Sequence, residues 1–559
     1  RALSIIILFG GFVLVGRLYY IQIMNGTLFQ DRAEHQYVRS SQELFDRGTI
    51  YFQNKDQSLY GAATVKSGFT VAINTNKVVS ATSTYEKINQ IAPIDRESFI
   101  AEVAKPDPYV EILKRLDPEP AKKIEALKLP GVSLSKDKWR FYPGGQLASQ
   151  VLGFVGFKGD TLDGRYGLER YYADTLNRKT DGAYVNFFAE VFSDINQAIN
   201  KNAELEGESV TTSEREVQLE LERVLSDTVT LWQPESLGAM VMDPSTGEIY
   251  AMGSLPAFDP NSFQTAKNSS VYTNPFVEGV HEMGSIIKPL TMAAGIDAGA
   301  ITPHTTYDDK GFIVIDQAKI SNSDHTPHGI IDMQTVLNKS LNTGAAFAEH
   351  AMGKDVFVKY FHSYGLGEET GIDLPNEAHG FLDTLNTSRE VEAATASFGQ
   401  GIALTPIATV RALSSLANGG FLPSPHLVKR IDYKVGFSKD ITFSDPTQVL
   451  KKSTSDAVTG MLISLVDTAL RNGTVKMAHY SIAAKTGTAQ ISQGGGKGYY
   501  TDRYLHSFFG YFPAYKPRFI VFFFMIYPKT PKFAADTLTT PFFDMAKFLI
   551  HYYDVPPDR

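Results

Sequence analysis

A serine and a lysine three places apart carry the first recognisable chemistry: Ser285 and Lys288, in Gly284-Ser285-Ile286-Ile287-Lys288-Pro289. A serine hydroxyl is a weak nucleophile until a base takes its proton, and a desolvated lysine amine can be that base. On a helix, side chains at i and i+3 share a face, so the two groups can meet. The N-terminus of a helix also presents backbone N–H groups to an oxyanion. Alone the pair is weak evidence, because Ser-x-x-Lys recurs at Ser133–Lys136 and Ser135–Lys138. What singles out Ser285 is company downstream, Ser340-Leu341-Asn342 and then Lys485-Thr486-Gly487-Thr488. Each has a plain reading. Ser340 and Asn342 can cap or hydrogen-bond within a helix, Lys485 can be a solvated strand end, and Gly487 a bulge.

The elements that must position these residues lie after about residue 206. Ser213-x-x-Glu216 has the pattern of a capping box ahead of a helix over Val217–Leu225. Leu237–Met242 and Glu248–Met252 form a hairpin around Asp243-Pro244-Ser245-Thr246-Gly247. Helical patterns dominate from Ser285 to about Leu416. Strands return at Ser481–Ala484, Thr488–Ile491, Phe508–Phe512 and Phe519–Tyr527, and Asp544–Tyr553 closes as a helix. Strands, helices and strands again predict one α+β domain whose sheet is built from both ends of the segment.

Upstream, Phe29–Leu205 reads as a mixed, elongated region without evident chemistry. It carries strands at Thr49–Phe52 and Gly68–Ile73, a turn at Asn54–Asp56, and short helices at Tyr109–Leu116 and Glu119–Leu127. Lys66-Ser67-Gly68 reads as a strand-edge turn. Ala2–Ile23 is an apolar run just long enough to cross a bilayer, with Arg17 able to snorkel and Tyr19 and Tyr20 as interface anchors. No small-x-small cleavage site follows, so it is expected to be an uncleaved anchor, and a short tail is expected before Arg1. The domain expectation is thus 1–24 anchor, 25–205 pedestal and 206–559 catalytic domain.

Among 559 residues, 43% are hydrophobic and 20% charged, which excludes a disordered chain. The net charge of −8, without a basic run, argues against a nucleic-acid partner. The absence of cysteine excludes disulfides and thiolate metal sites. His281, His304, His325 and His328 lack ligand spacing and are expected on loops or the surface. Gly494–Gly496 with Gly498 reads as a loop beside the site and not a phosphate cradle. No metal or cofactor is expected.

In this order the three patterns resemble those of the penicillin-binding protein and serine β-lactamase superfamily. More closely, the chain resembles class B penicillin-binding proteins, membrane-anchored D,D-transpeptidases of bacterial peptidoglycan synthesis. Similar motifs run along nearly the whole length. They include Arg47-Gly48-Thr49-Ile50, Gly167-Leu168-Glu169 and Asp243–Ile249 followed by Ala251-Met252. Thr370-Gly371-Ile372-Asp373-Leu374-Pro375, Ser397-Phe398-Gly399-Gln400-Gly401 and Lys485–Gln490 continue the likeness. Two departures leave the subgroup open: Tyr51-Phe52-Gln53-Asn54 replaces the common Asp-Arg-Asn-Gly, and Met283 replaces a common Pro.

The resemblance implies a serine β-lactamase/transpeptidase-like domain, an antiparallel sheet with helices, behind a dimerisation-like pedestal and one transmembrane helix. It implies Ser285 as nucleophile, Lys288 as base, Ser340 as proton relay and Asn342 as a hydrogen-bond partner of substrate or Lys288. Lys485, Thr486, Gly487 and Thr488 would form the substrate-binding strand, with the carboxylate on Lys485 and the threonine hydroxyls. Ser285 and Thr488 N–H groups would form the oxyanion hole. Implied partners are D-Ala-D-Ala stem peptides, β-lactams, the membrane, a multi-pass glycan polymerase of the shape, elongation, division and sporulation (SEDS) class, and other division or elongation proteins. The implied location is the cytoplasmic membrane, with the catalytic domain outside. Length and the end at Arg559 lean towards division. The rivals are a hydrolase, either carboxypeptidase or β-lactamase, and a non-catalytic scaffold. A class A β-lactamase would carry Glu-x-x-x-Asn between the second and third motifs, whereas Asp383-Thr384-Leu385-Asn386 has the wrong acid and spacing.

Overall fold

Phe519–Ile526 is apolar at every position because both of its faces have a core to fill. A strand alternates its side chains between two faces. Phe519, Val521, Phe523 and Met525 enter one core, and Ile520, Phe522 and Phe524 enter another. In the computed structural model, which describes residues 45–105, 109–159, 161–178, 206–434, 436–494, 498–530 and 532–559, this strand is the middle of a five-stranded sheet. The strands are β1 (Ser236–Met242), β2 (Ile249–Leu255), β3 (Ala483–Ser492), β4 (Tyr499–Phe512) and β5 (Phe519–Ile526). They lie in the order β3-β4-β5-β1-β2, every pair antiparallel. The sheet is therefore assembled from both ends of the domain, as the strand-helix-strand pattern predicts.

Five helices frame the site: α1 (Arg215–Trp232), α2 (Lys288–Asp297), α3 (Met333–Lys339), α4 (Asn342–Met352) and α5 (Thr539–Tyr552). Val217, Leu221 and Leu225 recur every four residues on α1 and share a core with Phe542, Met545 and Leu549 of α5 and one face of β5. Met283, Ile286, Ile287 and Leu290 fill the opposite core against Phe522 and Phe524. The expected capping box at α1 does not form. Ser213 Oγ donates to Ile249 O at 3.4 Å, tying the chain to β2, and Glu214 takes the cap position without a side-chain bond. The β1–β2 turn does form, with Asp243 Oδ1 accepting from the N–H groups of Ser245 (2.7 Å) and Thr246 (3.1 Å).

The chain divides into two compact units, and not at a single point near residue 205. Gly48–Thr64 and Tyr142–Asn177 belong with Glu204–Arg559. The reason is backbone pairing: Ile50–Gln53 runs parallel to Gly207–Thr211, which pairs in turn with Val428–Tyr433. Buried Asp373 accepts from the N–H groups of Leu427 (2.7 Å) and Val428 (2.8 Å) and from Tyr172 OH (3.0 Å).

The smaller unit is built on Val65–Phe141. Val110–Leu116, expected as a helix, is a strand paired antiparallel with Phe69–Ile73. Pairing outweighs local propensity there, and register shifts between Phe69 and Ala72 break the strict alternation where Ile112 and Leu113 both pack against the core of Val71, Ile88 and Ile124. Lys66-Ser67-Gly68 lies inside the strand Leu59–Ile73 and is not an edge turn. Ser133 and Ser135 with their lysines lie on the strand Val132–Phe141, where i and i+3 face opposite ways.

The anchor expected at Ala2–Ile23 lies outside the described residues, as does part of the Gly494–Gly498 loop. No helix among the described residues is long and apolar enough to cross a membrane.

Phe542 tests the α5 core. It is fully buried, with ring centroids 4.6 Å from Phe508 and 5.3 Å from Phe543. Phe542→Ala is expected to lower stability by about 3–5 kcal/mol in urea unfolding. A loss below about 1 kcal/mol would contradict this packing.

Candidate active site

Ser285 lies in a 3-10 turn, Gly284–Ile287, that runs directly into α2. In that geometry residues i and i+3 eclipse. Lys288 Nζ accordingly lies 3.0 Å from Ser285 Oγ. The turn is tighter than the helix start anticipated, and it is fixed by close backbone approach. Gly399, at φ +80, lies so near Gly284 that a Cβ would overlap the Gly284 carbonyl oxygen. Gly284 N–H donates to Gly399 O at 3.1 Å. On β3, a Cβ at Gly487 would overlap Ser507 Oγ and lie 2.8 Å from Met283 O. Gly487 pairs in regular register with Ser507, so it is a point of close packing and not a bulge.

Ser340 ends α3 in the left-handed region at φ +57, and Leu341 leads into α4. This reversal sets the Ser340 and Asn342 side chains beside Lys288. Its Nζ lies 2.5 Å from Ser340 O, 3.2 Å from Ser340 Oγ and 2.9 Å from Asn342 Oδ1. Lys485, on β3, donates to the same Ser340 Oγ at 3.0 Å and to Thr486 O at 2.8 Å. Ser285, Ser340, Asn342, Thr486 and Thr488 line a cleft of about 580 Å³. Lys288, Lys485 and Gly487 are buried behind it. All eight residues singled out in the sequence thus meet in one place.

The polarity of these contacts constrains the Lys288 proton. Asn342 Nδ2 donates to Ser321 O at 3.0 Å, which orients Oδ1 towards Lys288. Ser340 O and Asn342 Oδ1 only accept, so they take two N–H groups. A neutral amine then keeps its lone pair for a hydroxyl, and Ser285 O–H can donate into it. Burial and the neighbouring Lys485 ammonium hold the Lys288 pKa well below the ordinary 10.5. Burial brings Lys485 down to about 7.

A buried network that the motifs did not signal supports Asn342. Asp309 accepts from Thr343 Oγ1 (2.9 Å), Asn322 Nδ2 (3.0 Å) and Gly311 N–H (3.0 Å), and its Oδ2 lies 2.8 Å from His328 Nδ1. Burial opposes ionisation of Asp309, but the bonds from His328, Gly311, Thr343 and Asn322 outweigh it and hold the carboxyl below its usual range. Asn322 Oδ1 accepts from Thr343 N–H at 3.1 Å, fastening the chain after Ser321 to the first turn of α4. His328 lies on a loop, as expected, and its ring is tied into this network through Asp309. Only spacing from Asn342 could have pointed to Thr343, and nothing local marks Asp309. Among the described residues no group of three His, Asp or Glu side chains is placed to hold a metal.

The sign of the Lys485 shift is testable. Between pH about 7 and 10.5 the unfolded lysine keeps a proton that the folded one has released. The burial penalty is present below that window and is relieved as pH rises through it. Measured against Lys485→Met, the unfolding free energy of the unmodified chain should therefore climb from about pH 7 upwards. A flat difference in urea titrations would show that Lys485 titrates normally.

Comparison with known proteins fits this arrangement. The family model described as "Penicillin binding protein transpeptidase domain" matches residues 237–545, and "Penicillin-binding Protein dimerisation domain" matches 45–212. Stage V sporulation protein D of Bacillus subtilis (strain 168) is 31% identical over 97% of this chain and 84% of its own. Peptidoglycan D,D-transpeptidase FtsI of Escherichia coli (strain K12) is 26% identical over 81% of this chain and 73% of its own. Penicillin binding protein 2X from Streptococcus thermophilus shares the fold, with TM-score 0.73 and 20% identity over 92% of this chain and 81% of that one. The apo form of penicillin binding protein 3 from Mycobacterium tuberculosis gives TM-score 0.67 and 25% identity over 76% of this chain and 92% of that one. With a transpeptidase model matching more than half of its length behind a dimerisation domain, and a relative 31% identical along nearly all of it, this chain belongs to the class B penicillin-binding proteins.

Proposed function

We propose that the cleft crosslinks peptidoglycan stem peptides as a serine-type D,D-transpeptidase, with an acyl-serine intermediate. Ser285 Oγ attacks the carbonyl carbon of the penultimate D-Ala while Lys288 takes its proton. The oxyanion forms against the N–H groups of Ser285 and Thr488, a kind of contact worth about 10² to 10³ in rate. The C–N bond to the terminal D-Ala then breaks, and the leaving amine receives a proton from Lys288 through Ser340. Lys485 with the Thr486 and Thr488 hydroxyls holds the terminal carboxylate. An acceptor amine attacks the ester, passes its proton back along the same route and restores Ser285 O–H. The observation carrying this reading is the Lys288 amine, held by two obligate acceptors with Ser285 Oγ 3.0 Å away.

A second observation argues against a class A β-lactamase. The described residues lining the cleft include no Asp or Glu that could activate water for deacylation. β-Lactams, which carry an acylating amide and a carboxylate, fit the same groups as inhibitors.

The finer reading places the catalytic domain outside the cytoplasmic membrane, anchored by Ala2–Ile23. There it works with a SEDS-class glycan polymerase, since the chain shows no glycosyltransferase motif. Its role is septal. Filaments on depletion support this, and rounded cells turn it to the side wall.

Labelling with a fluorescent penicillin followed by peptide mapping tests the chemistry. The adduct is expected on Ser285, lasting minutes or longer, with none in Ser285→Ala. Lys288→Met should slow acylation by about 10² to 10⁴. An adduct elsewhere, or one hydrolysed within seconds, would overturn the transpeptidase reading. Full complementation of a depletion strain by Ser285→Ala would favour the scaffold.

A further inference from the structure

The terminal carboxylate of the donor has its cation in Lys485, yet the cleft carries more positive charge than that one group requires. Lys319, Lys339 and Lys532 line it as well, all three exposed, and no carboxylate is among the lining residues. None of the three forms an ion pair with a described carboxylate, although many other lysines of the chain do, Lys452 with Asp456 at 2.7 Å for example. Three cations without a described carboxylate partner give the lining of one cavity an excess of positive charge, and a low-dielectric wall focuses it. Such a surface costs self-repulsion unless a ligand of opposite charge answers it.

These lysines also stand on anchored backbone. Lys319 lies on the hairpin strand Ala318–Ser321, paired with Val314, its Nζ 4.3 Å from the Phe312 ring centroid. Two residues on, Ser321 O receives Asn342 Nδ2. Lys339 is the last residue of α3, immediately before Ser340. The Lys532 carbonyl accepts from buried His506 Nε2 at 2.8 Å, and Ala534 N–H donates to Thr488 Oγ1 at 3.1 Å. The backbone that carries these lysines is therefore tied to the elements that hold Asn342, Ser340 and Thr488.

From this arrangement we infer that Lys319, Lys339 and Lys532 are specificity-determining residues for stem peptides bearing a free carboxylate besides the C-terminal one. The substrate class is a polyanionic peptide whose acidic residues before D-Ala-D-Ala have not been converted to amides. The inference rests on the transpeptidase reading of the cleft. Carboxylates meeting exposed ammonium groups gain modest, salt-screened attraction each, and several together act mainly on encounter and orientation.

The test uses the full chain and two synthetic donor pentapeptides ending in D-Ala-D-Ala, one with a free upstream carboxylate and one with that group amidated. The ratio of their kcat/KM values for acylation is the readout. At low ionic strength the unmodified chain should favour the carboxylate by about tenfold, and salt should reduce that preference. In the triple variant Lys319→Gln/Lys339→Gln/Lys532→Gln the ratio should approach one, while the triple Arg variant keeps it. A ratio near one in the unmodified chain, with penicillin still labelling Ser285, overturns the rim inference and leaves the transpeptidase reading standing. So does an unchanged ratio in the Gln variant. No adduct on Ser285 from penicillin or either peptide overturns both.

Discussion

Two lysine amines are buried beside one hydroxyl, and among the described residues no carboxylate is paired with either: this is the condition on which the site depends. An ammonium removed from water without a counter-ion is so unfavourable that the group gives up its proton more readily instead. Lys288 feels both its own burial and the charge on Lys485, and both lower the pKa of the amine that lies 3.0 Å from Ser285 Oγ. Had an acid been placed against Lys288, the amine would remain protonated and have no lone pair for the serine. The oxygens around it are neutral acceptors, Ser340 O and Asn342 Oδ1, which orient N–H groups without stabilising the ammonium as a carboxylate would.

Such an arrangement survives only in a frame that cannot relax around it. β5 supplies that rigidity by burying both faces, so the sheet is gripped by one core through Phe523 and another through Phe522. Gly284, Gly399 and Gly487 then allow backbone to touch backbone, which leaves the nucleophile turn little room to shift. Ser340 stands in a left-handed conformation unfavourable for a serine, and persists because the α3–α4 reversal and both lysines fix it. Asp309 works one layer further out. Through Asn322 and Thr343 it holds the start of α4, and so the position of Asn342.

The side chains that meet in the cleft were legible in the sequence because each motif is short and local, and its own geometry follows from i, i+2 and i+3 spacing. The strand-helix-strand order likewise announced a sheet closed by β3, β4 and β5 onto β1 and β2. What failed were features decided by distant partners. Val110–Leu116 has mixed polarity compatible with a helix, and only its pairing with Phe69–Ile73 makes it a strand. Ser213 has the letter of a capping box, but Ile249 O competes for its hydroxyl. Gly48–Thr64 joins the larger unit through a parallel pairing with residues about 160 positions away, which no local pattern encodes. Asp309 and His328 escaped because a buried hydrogen-bond network has no spacing rule.

The absence of acidic side chains along the described cleft bears on the second half-reaction as well as the first. In the proposed mechanism, water and an acceptor amine would both give their proton to the same Lys288 and Ser340, so the choice between them does not come from a dedicated base. It comes from which nucleophile is present in reactive form beside the ester. An approaching ammonium is inert until it loses a proton, and a cationic surrounding lowers its pKa just as Lys485 lowers that of Lys288. Water has only that same route, since no carboxylate is among the described lining residues to serve as a second base, and a neutral amine is the better nucleophile. The charge pattern that frees the first base therefore also favours a neutral amine at the second step, and one electrostatic condition serves both acylation and transfer.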